Sequence, residues 1–554
     1  MQLVELEPLV GRIERAAQDR DLIFVVGGDE VRTTWKDLHE DAKGYAARLQ
    51  ARGIGPGDHV ALLSPTTKPL VTAIQAVWLS GATLVVLPLP MRLGSIEEFV
   101  AQTRQRIHHA DAKLVVVDPE LAPFVVPEPD DPPMIEIGEL EGGDPAAWKR
   151  HDDDPERLVI LQFTSGSTAD PKGVMLPDRA LCANLDAISA AGQLSADADV
   201  MVSWLPLYHD MGLVGLLTLP MSTGTPLVLG APQDFTSRPS RWMEWVSTYR
   251  GTATAGPNFS YVLATRALKN GPVLDLSSLR VALNGAEPID ATAMEDFIAA
   301  GARHGLRPGA VFPAFGMAEV SIGGTFPEPM RGMVTDCVDR RVLETERYAA
   351  PVSDSAPGSR RFALLGKAVP GLEIRIVDPE TGAVLKDREV GELEIRGTSV
   401  TTGYYKRPDA NAELFHEGWL CTGDLAYMLD GELVVCGRIK DVIIVGGRNV
   451  FPEDVERAVG DLEGIRAGNV IAFGTLGGRG RESLVVVAET RAEDTAELRH
   501  EVAERVIEVV GVPAKDIVLV APGTLPKTSS GKLQRSLCKR RYDDGQLILV
   551  DADA

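Results

Sequence analysis

The chain has 554 residues, a length that predicts roughly two to four domains. Its content of 44% hydrophobic and 24% charged residues is typical of soluble globular proteins. The net charge of −23 argues against nucleic acid or an anionic membrane as a general partner, because both bind proteins through clustered Lys and Arg. One segment, 527–541, departs from this acidity and holds six cations without an acid: Lys527, Lys532, Arg535, Lys539, Arg540 and Arg541.

Cysteine usage and the apolar stretches both favour a cytoplasmic protein. The five cysteines are scattered without CxxC spacing, which indicates a reducing compartment and provides no metal site. The stretch 1–21 is acidic and amphipathic, unlike a secretory signal. The most apolar stretch, Ala76–Pro90, is interrupted by a serine, a glycine and two prolines. We therefore expect a helix end followed by a buried strand there, and no stable membrane insertion.

The N-terminal half of the chain alternates short apolar runs with amphipathic runs. The apolar runs predict buried strands at His59–Ser64, Ala82–Leu87, Lys113–Val117, Leu158–Phe163, Val200–Leu205, Pro226–Leu229 and Leu279–Asn284. The amphipathic runs predict helices at Val71–Leu79, Ile96–His109, Arg179–Ala190, Arg238–Tyr249 and Ala291–Ala302. Such alternation is typical of α/β layers built on mainly parallel sheets.

The pattern changes near Met333. Short strands with Gly and Asp turns follow, as in LEIRIVD, GELEIRG and LAYMLDGELVVCG, and they predict a small β-barrel at about residues 333–437. After Gly437 the α/β pattern returns in a tail of domain size. The fold class predicted is α/β: a large N-terminal domain of two layered α/β sheets with a small β-barrel, then a small α+β C-terminal domain.

The stretch LQFTSGSTADPKGVMLP, residues 161–177, has five Ser, Thr and Gly residues in a row after an apolar run, and Lys172 follows them. Hydroxyls, free backbone N–H groups and a mobile cation are what a polyphosphate needs. Neither the Walker pattern nor the dinucleotide glycine pattern occurs in the chain. On composition alone, the stretch fits a phosphate-binding loop and a solvated turn about equally well.

Further motifs follow this loop in order. They are NGAEPI (284–289), FGMAE (315–319), GWLCTGDLA (418–426), GRIKDVIIVGGRN (437–449) and LPKTSSGKLQR (525–535). With the loop, they resemble the ordered motifs of the adenylate-forming superfamily of acyl-CoA synthetases, luciferases and adenylation domains of peptide synthetases. The resemblance covers nearly the whole chain.

Details within the motifs resemble the fatty acyl-AMP ligase branch of this superfamily. They are WLPLYHDMGLVG (204–215), the SGST form of the loop, VGGRNVFPEDVE (445–456) and an extra segment, Met333–Leu365, that acyl-CoA ligases lack. Two positions depart from the family pattern: Ala169 stands where glycine is common, and Phe315 where tyrosine is common. Neither departure removes a charge or a metal ligand.

The resemblance implies that ATP and Mg²⁺ activate a carboxylate substrate. A carboxylate is ionised at neutral pH and is already a nucleophile, so no Ser-His-Asp arrangement is required. The obstacle is repulsion between carboxylate and triphosphate, so catalysis is expected to be electrostatic and positional. The residues implied to bind ATP or AMP are Thr164, Ser165, Gly166, Ser167, Thr168, Asn284, Gly285, Ala286, Glu287, Phe315, Gly316, Met317, Ala318, Asp424 and Arg438.

The resemblance also gives roles to single charged residues. Lys172 would hold the β- and γ-phosphates, and Glu319 would carry Mg²⁺. Asp424 would accept from the ribose hydroxyls. Lys532 would reach the α-phosphate and the attacking carboxylate oxygen. The catalytic residues implied are thus Lys172, Glu319 and Lys532. The alternative for Glu319 is a surface glutamate, that for Asp424 is an aspartate in a turn, and that for Lys532 is a solvated lysine.

Other roles implied by the resemblance concern the nucleotide, the acyl pocket and a hinge. Phe315 would stack on adenine, or be a core residue, and Arg438 would bridge ribose or phosphate. His209 would lie near an acyl pocket, although a structural histidine is an equal alternative; the other pocket candidates are Met211, Phe259 and Tyr261. Residues 438–441, with Lys440 as pivot, would link domain 1–437 to a mobile C-terminal domain, 442–554.

The reaction implied is conversion of a fatty acid and ATP to acyl-AMP, then acyl transfer to the phosphopantetheine thiol of an acyl carrier protein or a carrier domain of a polyketide or peptide synthase. The basic segment 527–541 suits an acidic carrier. One alternative is a fatty acyl-CoA ligase, and another is an inactive nucleotide-binding module. The segment Met333–Leu365 would hinder the movement that CoA use requires, unless its five arginines make it only a basic surface loop: Arg340, Arg341, Arg347, Arg360 and Arg361.

Overall fold

The computed structural model describes residues 6–89, 96–164, 172–445, 448–476, 482–492, 495–528, 532–547 and 550. Up to residue 177 the strands are β1 (Asp21–Val26), β2 (Asp29–Thr34), β3 (His59–Leu63), β4 (Thr83–Val86), β5 (Ala112–Val117), β6 (Met134–Glu136), β7 (Leu158–Phe163) and β8 (Gly173–Pro177). The helices of this part are α1 (Leu9–Ala16), α2 (Trp35–Ala51), α3 (Lys68–Leu79) and α4 (Ile96–His109). Threonine hydroxyls cap α2 and α3, because Thr34 and Thr67 accept hydrogen bonds from backbone N–H groups of the first turn.

Residues 178–332 continue the alternation of strands and helices. The helices are α5 (Asp178–Ala191), α6 (Leu219–Thr223), α7 (Pro232–Ser237), α8 (Ser240–Thr248), α9 (Asn258–Asn270) and α10 (Ala291–Gly301). The strands are β9 (Met201–Ser203), β10 (Leu227–Gly230), β11 (Ala253–Gly256), β12 (Val281–Asn284), β13 (Val311–Pro313), β14 (Phe315–Gly316) and β15 (Gly323–Phe326). A π-helix, Met211–Thr218, precedes α6.

Two mainly parallel sheets organise this N-terminal part. One has the strand order β6-β5-β3-β4-β7-β8 and is parallel except for β8. The other has the order β13-β12-β11-β9-β10-β1-β2 and is parallel except for β2. Helices α2 and α3 tie the sheets together: the indole N–H of Trp35 donates to the carbonyl of Thr225, and that of Trp78 to the carbonyl of Val159. The predicted α/β layers are confirmed.

The predicted strands each coincide with an observed strand to within a few residues, and α4 has the predicted bounds. Two helix predictions need correction. The helix predicted at 238–249 begins at Ser240, because α7 and Pro239 precede it, and α3 begins at Lys68, ahead of the predicted Val71. The hairpin β1–β2 and helices α1, α2 and α9 are additions to the predicted set. Strand β2 is mostly exposed, so no apolar alternation marked it.

Residues 333–438 are rich in short strands. They are β16 (Thr335–Asp339), β17 (Ser359–Ala363), β18 (Lys367–Ala368), β19 (Leu372–Val377), β20 (Gly391–Gly397), β21 (Phe415–His416), β22 (Trp419–Leu429) and β23 (Glu432–Arg438). The helices are α11 (Arg340–Glu346) and α12 (Pro408–Leu414). Strands β19, β20, β22, β21 and β23 form an antiparallel sheet that curves as half of a barrel, while β14, β15 and β18 form a smaller sheet. The segment Met333–Leu365 is itself a hairpin, β16–β17, that encloses α11.

Residues 442–554 are here called the C-terminal region, and their described part contains strands and helices. Its strands are β24 (Ile443–Val445), β25 (Arg448–Val450), β26 (Ile465–Leu476), β27 (Glu482–Thr490) and β28 (Asp516–Val520), and its helices are α13 (Pro452–Gly460), α14 (Thr495–Val510) and α15 (Arg535–Asp543). Val455 of α13 and Val502 of α14 pack on one face of the sheet β26-β27-β28. Cys538 of α15 packs with Phe473 on the other face.

The apolar stretch Ala76–Pro90 contains the end of α3 and the buried strand β4, as predicted. Within the described residues, no helix is both long and apolar enough to cross a bilayer.

Candidate active site

The predicted phosphate loop joins the antiparallel strands β7 and β8. The backbone N–H of Thr164 donates to the carbonyl of Lys172 at 3.0 Å, so the two sides of the loop are paired at its base. The Nζ atom of Lys172 lies 4.6 Å from the centre of the Tyr404 ring, in a cation–π contact. Four predicted loop residues, Ser165, Gly166, Ser167 and Thr168, lie outside the described residues.

Glu319 lies in a tight connection between β14 and β15. A Cβ atom on Gly316 would come within 1.9 Å of the Ile322 carbonyl oxygen, so only glycine fits at that position. Ser321 adopts φ 73°, a backbone conformation that side chains rarely adopt, and this turn directs Glu319 inward. Glu319 is buried, and its Oε1 atom accepts a hydrogen bond of 2.7 Å from the Tyr404 hydroxyl. Burial raises the pKa of Glu319, and the hydrogen bond from Tyr404 opposes that rise.

The surroundings of Glu319 fit magnesium bound through a nucleotide. Among the described residues, no three or more His, Cys, Asp and Glu side chains are grouped as a metal cage. Magnesium in nucleotide enzymes is commonly held by one or two carboxylates together with substrate phosphates and water. One oxygen of Glu319 is engaged by Tyr404, and a carboxylate has lone pairs to spare. Glu319 would therefore hold Mg²⁺ together with bound ATP.

The residues predicted to hold adenine follow two neighbouring parallel strands. Asn284 ends β12, and its carbonyl accepts from the N–H of Ala314, which follows β13. Gly285 is closely packed, because an added Cβ would lie 3.1 Å from the Ala314 carbonyl oxygen. Ala286 adopts φ 72°, and Glu287 accepts from the N–H of Phe259 at 3.1 Å. Phe315, Gly316, Met317 and Ala318 continue from β13, so both predicted segments lie at the carboxyl ends of parallel strands, where α/β proteins bind ligands.

Asp424 and Arg438 face each other across strands β22 and β23. Asp424 is only 5% exposed, and Oδ1 lies 3.1 Å from Nε of Arg438, whose side chain is half exposed. Burial raises the pKa of Asp424 to about 6, although the charge of Arg438 opposes the rise. At neutral pH, Asp424 is therefore an ionised group in a poorly solvated place, with acceptors for ribose hydroxyls.

Lys532 brings a cation from the C-terminal region into the site. Its backbone is held by Thr528, which donates through its N–H to the Lys532 carbonyl at 2.7 Å. Burial lowers the pKa of Lys532, and the charges of Asp210 and Glu287 oppose that change. Asp210 also raises the pKa of Glu319 by repulsion. The structure thus brings Lys532 near Glu287, which the motifs predicted, and near Asp210, which they did not.

The four candidates for the acyl pocket lie in the π-helix region and in the apolar cluster of the N-terminal part. His209 and Asp210 contact each other at 2.5 Å, and Met211 begins the π-helix next to them. Phe259 is half buried in an aromatic cluster with Trp204 and Phe235. Tyr261 has no exposed surface, and its hydroxyl donates to the Leu283 carbonyl at 2.8 Å, as a core residue does.

The predicted hinge lies in a single 3₁₀ turn, Ile439–Asp441, directly after β23. Lys440 is exposed in this turn. Asp441 forms an ion pair with Arg535, the first residue of α15, and its Oδ2 atom lies 2.6 Å from Nη1 of the arginine. The turn is therefore tied to the C-terminal region by charge as well as by the chain.

The sequence also matches known proteins. The AMP-binding enzyme family matches residues 13–405. The chain belongs to this family. The prediction from the motifs that the chain is an adenylate-forming ligase is confirmed.

Several curated relatives of this AMP-binding enzyme span nearly the whole chain. A Mycobacterium tuberculosis protein named as a ligase, Rv1013, is 41% identical and covers 91% of this chain and 94% of its own. A second protein of that organism, named as the fatty-acid–CoA ligase fadD25, is 31% identical and covers 95% of this chain and 94% of its own. JamA of Moorena producens, named as a medium-chain-fatty-acid–[acyl-carrier-protein] ligase, is 31% identical and covers 93% of this chain and 90% of its own.

Solved structures share the fold over its full length. One, from work on fatty acyl-adenylate ligases from E. coli and L. pneumophila, has a TM-score of 0.91 at 33% identity and covers 98% of this chain and 99% of its own. McyG A-PCP complexed with phenylalanyl-adenylate has a TM-score of 0.86 at 26% identity and covers 98% of this chain and 84% of its own. A fatty acyl-adenylate ligase from L. pneumophila, in complex with acyl adenylate and pyrophosphate, has a TM-score of 0.75 at 28% identity and covers 98% of this chain and 97% of its own.

The raised pKa of Asp424 predicts that this AMP-binding enzyme gains stability when the charge is removed. A carboxyl group whose pKa is about 6 when folded, against 3.8 as a model value, destabilises the fold increasingly as pH rises between those values. Asp424→Asn should therefore raise the free energy of unfolding at pH 7.5 by about 1–3 kcal/mol, since one pKa unit corresponds to about 1.4 kcal/mol. Denaturant unfolding without nucleotide measures this change.

Two further measurements complete the test. The gain should vanish below about pH 3, where the wild-type group is neutral in both states. Asp424→Asn should also weaken ATP binding, because the amide replaces one acceptor by a donor. Glu373→Gln, at the more exposed ion pair with Arg396, should change stability little. A loss of stability at pH 7.5 in Asp424→Asn would contradict the buried-charge account.

Proposed function

We propose that this enzyme uses ATP and Mg²⁺ to convert a fatty acid to acyl-AMP and pyrophosphate, and then transfers the acyl group to the phosphopantetheine thiol of an acyl carrier protein. The observation that carries this proposal is the position of Lys532. It lies close enough to Asp210, Glu287 and Arg438 for their charges to act on its ammonium group. The names of JamA and of the L. pneumophila acyl-adenylate complex support a fatty acid substrate.

In the proposed first step, a carboxylate oxygen of the fatty acid attacks the α-phosphorus of ATP. The new oxygen–phosphorus bond forms as the bond from the α-phosphorus to the bridging oxygen breaks, and pyrophosphate leaves. Lys532 would offset the negative charge on the reacting oxygens, and Lys172 would hold the departing phosphates. Magnesium, when bound through Glu319, would supply additional positive charge at the phosphates. Asp424 and Arg438 would hold the ribose.

In the proposed second step, the thiol sulfur of the carrier attacks the acyl carbonyl carbon. The bond between that carbon and the AMP oxygen breaks, the thiol proton passes to solvent or base, and AMP leaves. Lys532 has no evident task here, since no charge develops at the α-phosphorus before AMP departs. We therefore propose that the C-terminal region is a mobile domain, residues 442–554, which withdraws Lys532 between the steps.

Removal of the Lys532 charge should separate the two steps. Lys532→Ala should slow acyl-AMP formation on the order of a hundredfold or more, the usual scale for losing one preorganised charge contact. Transfer from pre-made acyl-AMP should suffer much less. Pyrophosphate release measures the first step, and acyl-carrier formation from synthetic acyl-AMP measures the second. Equal losses in both would contradict the role given to Lys532.

The withdrawal needs a pivot, and the turn Ile439–Asp441 is our candidate, with Lys440 at its centre. Proline at position 440 fixes φ near roughly −65° and restricts the residue before it. Lys440→Pro should spare at least one step and cripple the other. The same two assays measure the effect, with circular dichroism as the folding control. Unchanged rates in both steps, from a folded variant, would place the hinge elsewhere.

The segment Met333–Leu365 contacts the C-terminal region through buried charges. Arg360 is 5% exposed, and its Nε atom lies 2.9 Å from a carboxylate oxygen of Asp454. The guanidinium of Arg360 also lies over the rings of Phe362 and Phe451, 4.4 and 4.5 Å from their centres. This single arginine therefore joins the segment to the first turn of α13.

A second group of contacts reinforces the same interface. Glu344, which is fully buried, forms an ion pair with Arg448. The backbone carbonyl of Glu344 accepts from the side chain of Asn449 at 3.0 Å. Arg340 donates to the carbonyl of Val509. Of the alternatives left by the sequence, a role in restraining the C-terminal region is favoured over that of a basic surface loop.

Several charged groups between the segment Met333–Leu365 and the C-terminal region lack some of their hydrogen bonds. Among the described residues, Arg360 Nη1, Glu344 Oε1 and Asp454 Oδ2 are buried without a hydrogen-bond partner. Buried ion pairs offset the cost of leaving water only when their geometry and additional hydrogen bonds are good. We infer that the contacts orient the C-terminal region and permit its release, and that they limit the positions it reaches.

If the segment Met333–Leu365 restrains the C-terminal region, the enzyme should use a carrier protein and not CoA as the acyl acceptor. The intact enzyme with fatty acid, ATP and CoA should accumulate acyl-AMP and form little acyl-CoA. Shortening the chain within Val338–Ser359 should raise acyl-CoA output by about tenfold, equivalent to shifting the domain equilibrium by about 1.4 kcal/mol, while acyl-AMP formation stays nearly intact. A radiolabelled assay across acyl chain lengths, with CoA and with a carrier protein in separate reactions, measures both products.

A point-substitution form of this test has a matched control. Arg360→Met combined with Asp454→Asn removes both charges of the buried pair, leaves only the half-exposed Arg457 without its contact to Asp454, and should also raise acyl-CoA output. Arg361→Met combined with Glu295→Gln removes a neighbouring pair within the N-terminal part, and should not. Rapid acyl-CoA synthesis by the unmodified enzyme would favour the acyl-CoA ligase alternative, which the name of the relative fadD25 supports.

Only some of the cations in the basic segment 527–541 remain available to attract a carrier protein. Arg535 is committed to ion pairs with Asp441 and Glu456, and Lys532 faces the active site. The remaining cations of α15 include Arg540, which is exposed. Carrier proteins are usually acidic, so this helix would attract one to an otherwise acidic enzyme. Electrostatic attraction of this kind raises the association rate and falls with salt.

We also propose a cytoplasmic location. All five cysteines are unpaired, three of them buried, which is the pattern of a reducing compartment.

A further inference from the structure

Tyr404 lies between the two groups that are proposed to act on the phosphates. Its hydroxyl donates to Oε1 of Glu319 at 2.7 Å, and its ring face lies 4.6 Å from Nζ of Lys172. The residue is only 7% exposed. One side chain thus contacts both Glu319 and Lys172, although these lie far apart in sequence.

The backbone of Tyr404 is fixed by its neighbours. Asn411 exchanges two hydrogen bonds with it: the N–H of Tyr404 donates to Oδ1 at 2.7 Å, and Nδ2 donates to the Tyr404 carbonyl at 2.9 Å. Tyr404 also pairs with Val174 of β8, just beyond the phosphate loop. The N–H of Thr401 donates to the backbone carbonyl of Glu319 at 2.8 Å. The segment 401–405 is therefore attached both to the base of the loop and to the backbone of Glu319.

We propose that Tyr404 is a positioning residue that fixes the Glu319 carboxylate and the Lys172 ammonium relative to each other before the nucleotide binds. This inference rests on the proposed roles of Glu319 in magnesium binding and of Lys172 in phosphate binding. The hydroxyl holds one carboxylate oxygen, so the orientation of the other toward the phosphates is set in advance. The ring face holds Lys172 in place without neutralising it, so the ammonium stays over the ring and remains able to bind phosphate oxygens when ATP arrives.

Two substitutions separate the hydroxyl from the ring. Tyr404→Phe keeps the ring beneath Lys172 and removes the hydrogen bond to Glu319. It should raise the half-saturating Mg²⁺ concentration for pyrophosphate release about tenfold, the usual effect of losing a partner of a metal ligand. ATP affinity without Mg²⁺, measured by calorimetry, should stay unchanged. Tyr404→Leu should raise the Mg²⁺ requirement similarly and also weaken Mg²⁺-free ATP binding about threefold, because the cation–π contact is lost.

Tyr405→Phe is the matched control. The hydroxyl of Tyr405 donates to Asp111 at 2.8 Å, away from Glu319 and Lys172, so both readouts should equal those of the wild type. A Tyr404→Phe enzyme with wild-type Mg²⁺ dependence would overturn the inference, whether or not its thermal stability falls. Equal Mg²⁺-free ATP affinity in Tyr404→Phe and Tyr404→Leu would overturn the part that concerns Lys172.

Glu319→Gln distinguishes failure of this inference from failure of the proposed metal site. If Glu319→Gln raises the Mg²⁺ requirement and Tyr404→Phe does not, the metal site stands and the role of Tyr404 is wrong. If neither raises it, the assignment of Glu319 is wrong, and the inference falls with it. If both raise it and the double variant adds nothing further, the two residues act as one unit, as expected for a positioning contact.

Discussion

The site depends on holding several carboxylates away from water at one place. Burial raises the pKa of Glu287, Glu319 and Asp424, so each is more costly to ionise than an exposed acid. Cations from other elements compensate: Arg438 beside Asp424, and Lys532 near Glu287. A protein with a net charge of −23 thereby obtains a local arrangement in which a triphosphate and a carboxylate can approach each other.

One of these charges, that of Lys532, comes from the C-terminal region. The charges of Asp210 and Glu287 act on the ammonium group of Lys532. The ion pairs Arg360–Asp454 and Glu344–Arg448 also join that region to the segment Met333–Leu365. These pairs are buried and include atoms without a hydrogen-bond partner, so they offset only part of the cost of removing the charges from water. In the function proposed above, the segment Met333–Leu365 would act on the reaction through these contacts.

Much of the fold could be predicted from apolar and amphipathic runs in the sequence. The parallel strands of the two sheets are short apolar runs, and helix α4 is an amphipathic run with the predicted bounds. The exposed edge strand β2 lacked such a pattern and was not predicted. The motif residues were found by type and order, yet Asp210 and Tyr404 were not. An aspartate after a histidine and a tyrosine in a GYY run carry no spacing signal of their own. Asp210 is revealed by the effect of its charge on Lys532, and Tyr404 by its hydrogen bond to Glu319.

The sequence by itself determined the family, the order of the motifs and most of the strands, because these follow from residue types within short stretches of chain. The tertiary structure decided which charges meet. Arg360 was one of five arginines in a segment for which the sequence left two alternatives, a restraint on domain movement or a basic surface loop, and it is buried against Asp454. Tyr261 was a pocket candidate and has no exposed surface. Burial and Coulomb energy depend on distances through space between distant parts of the chain, and no local pattern records those distances.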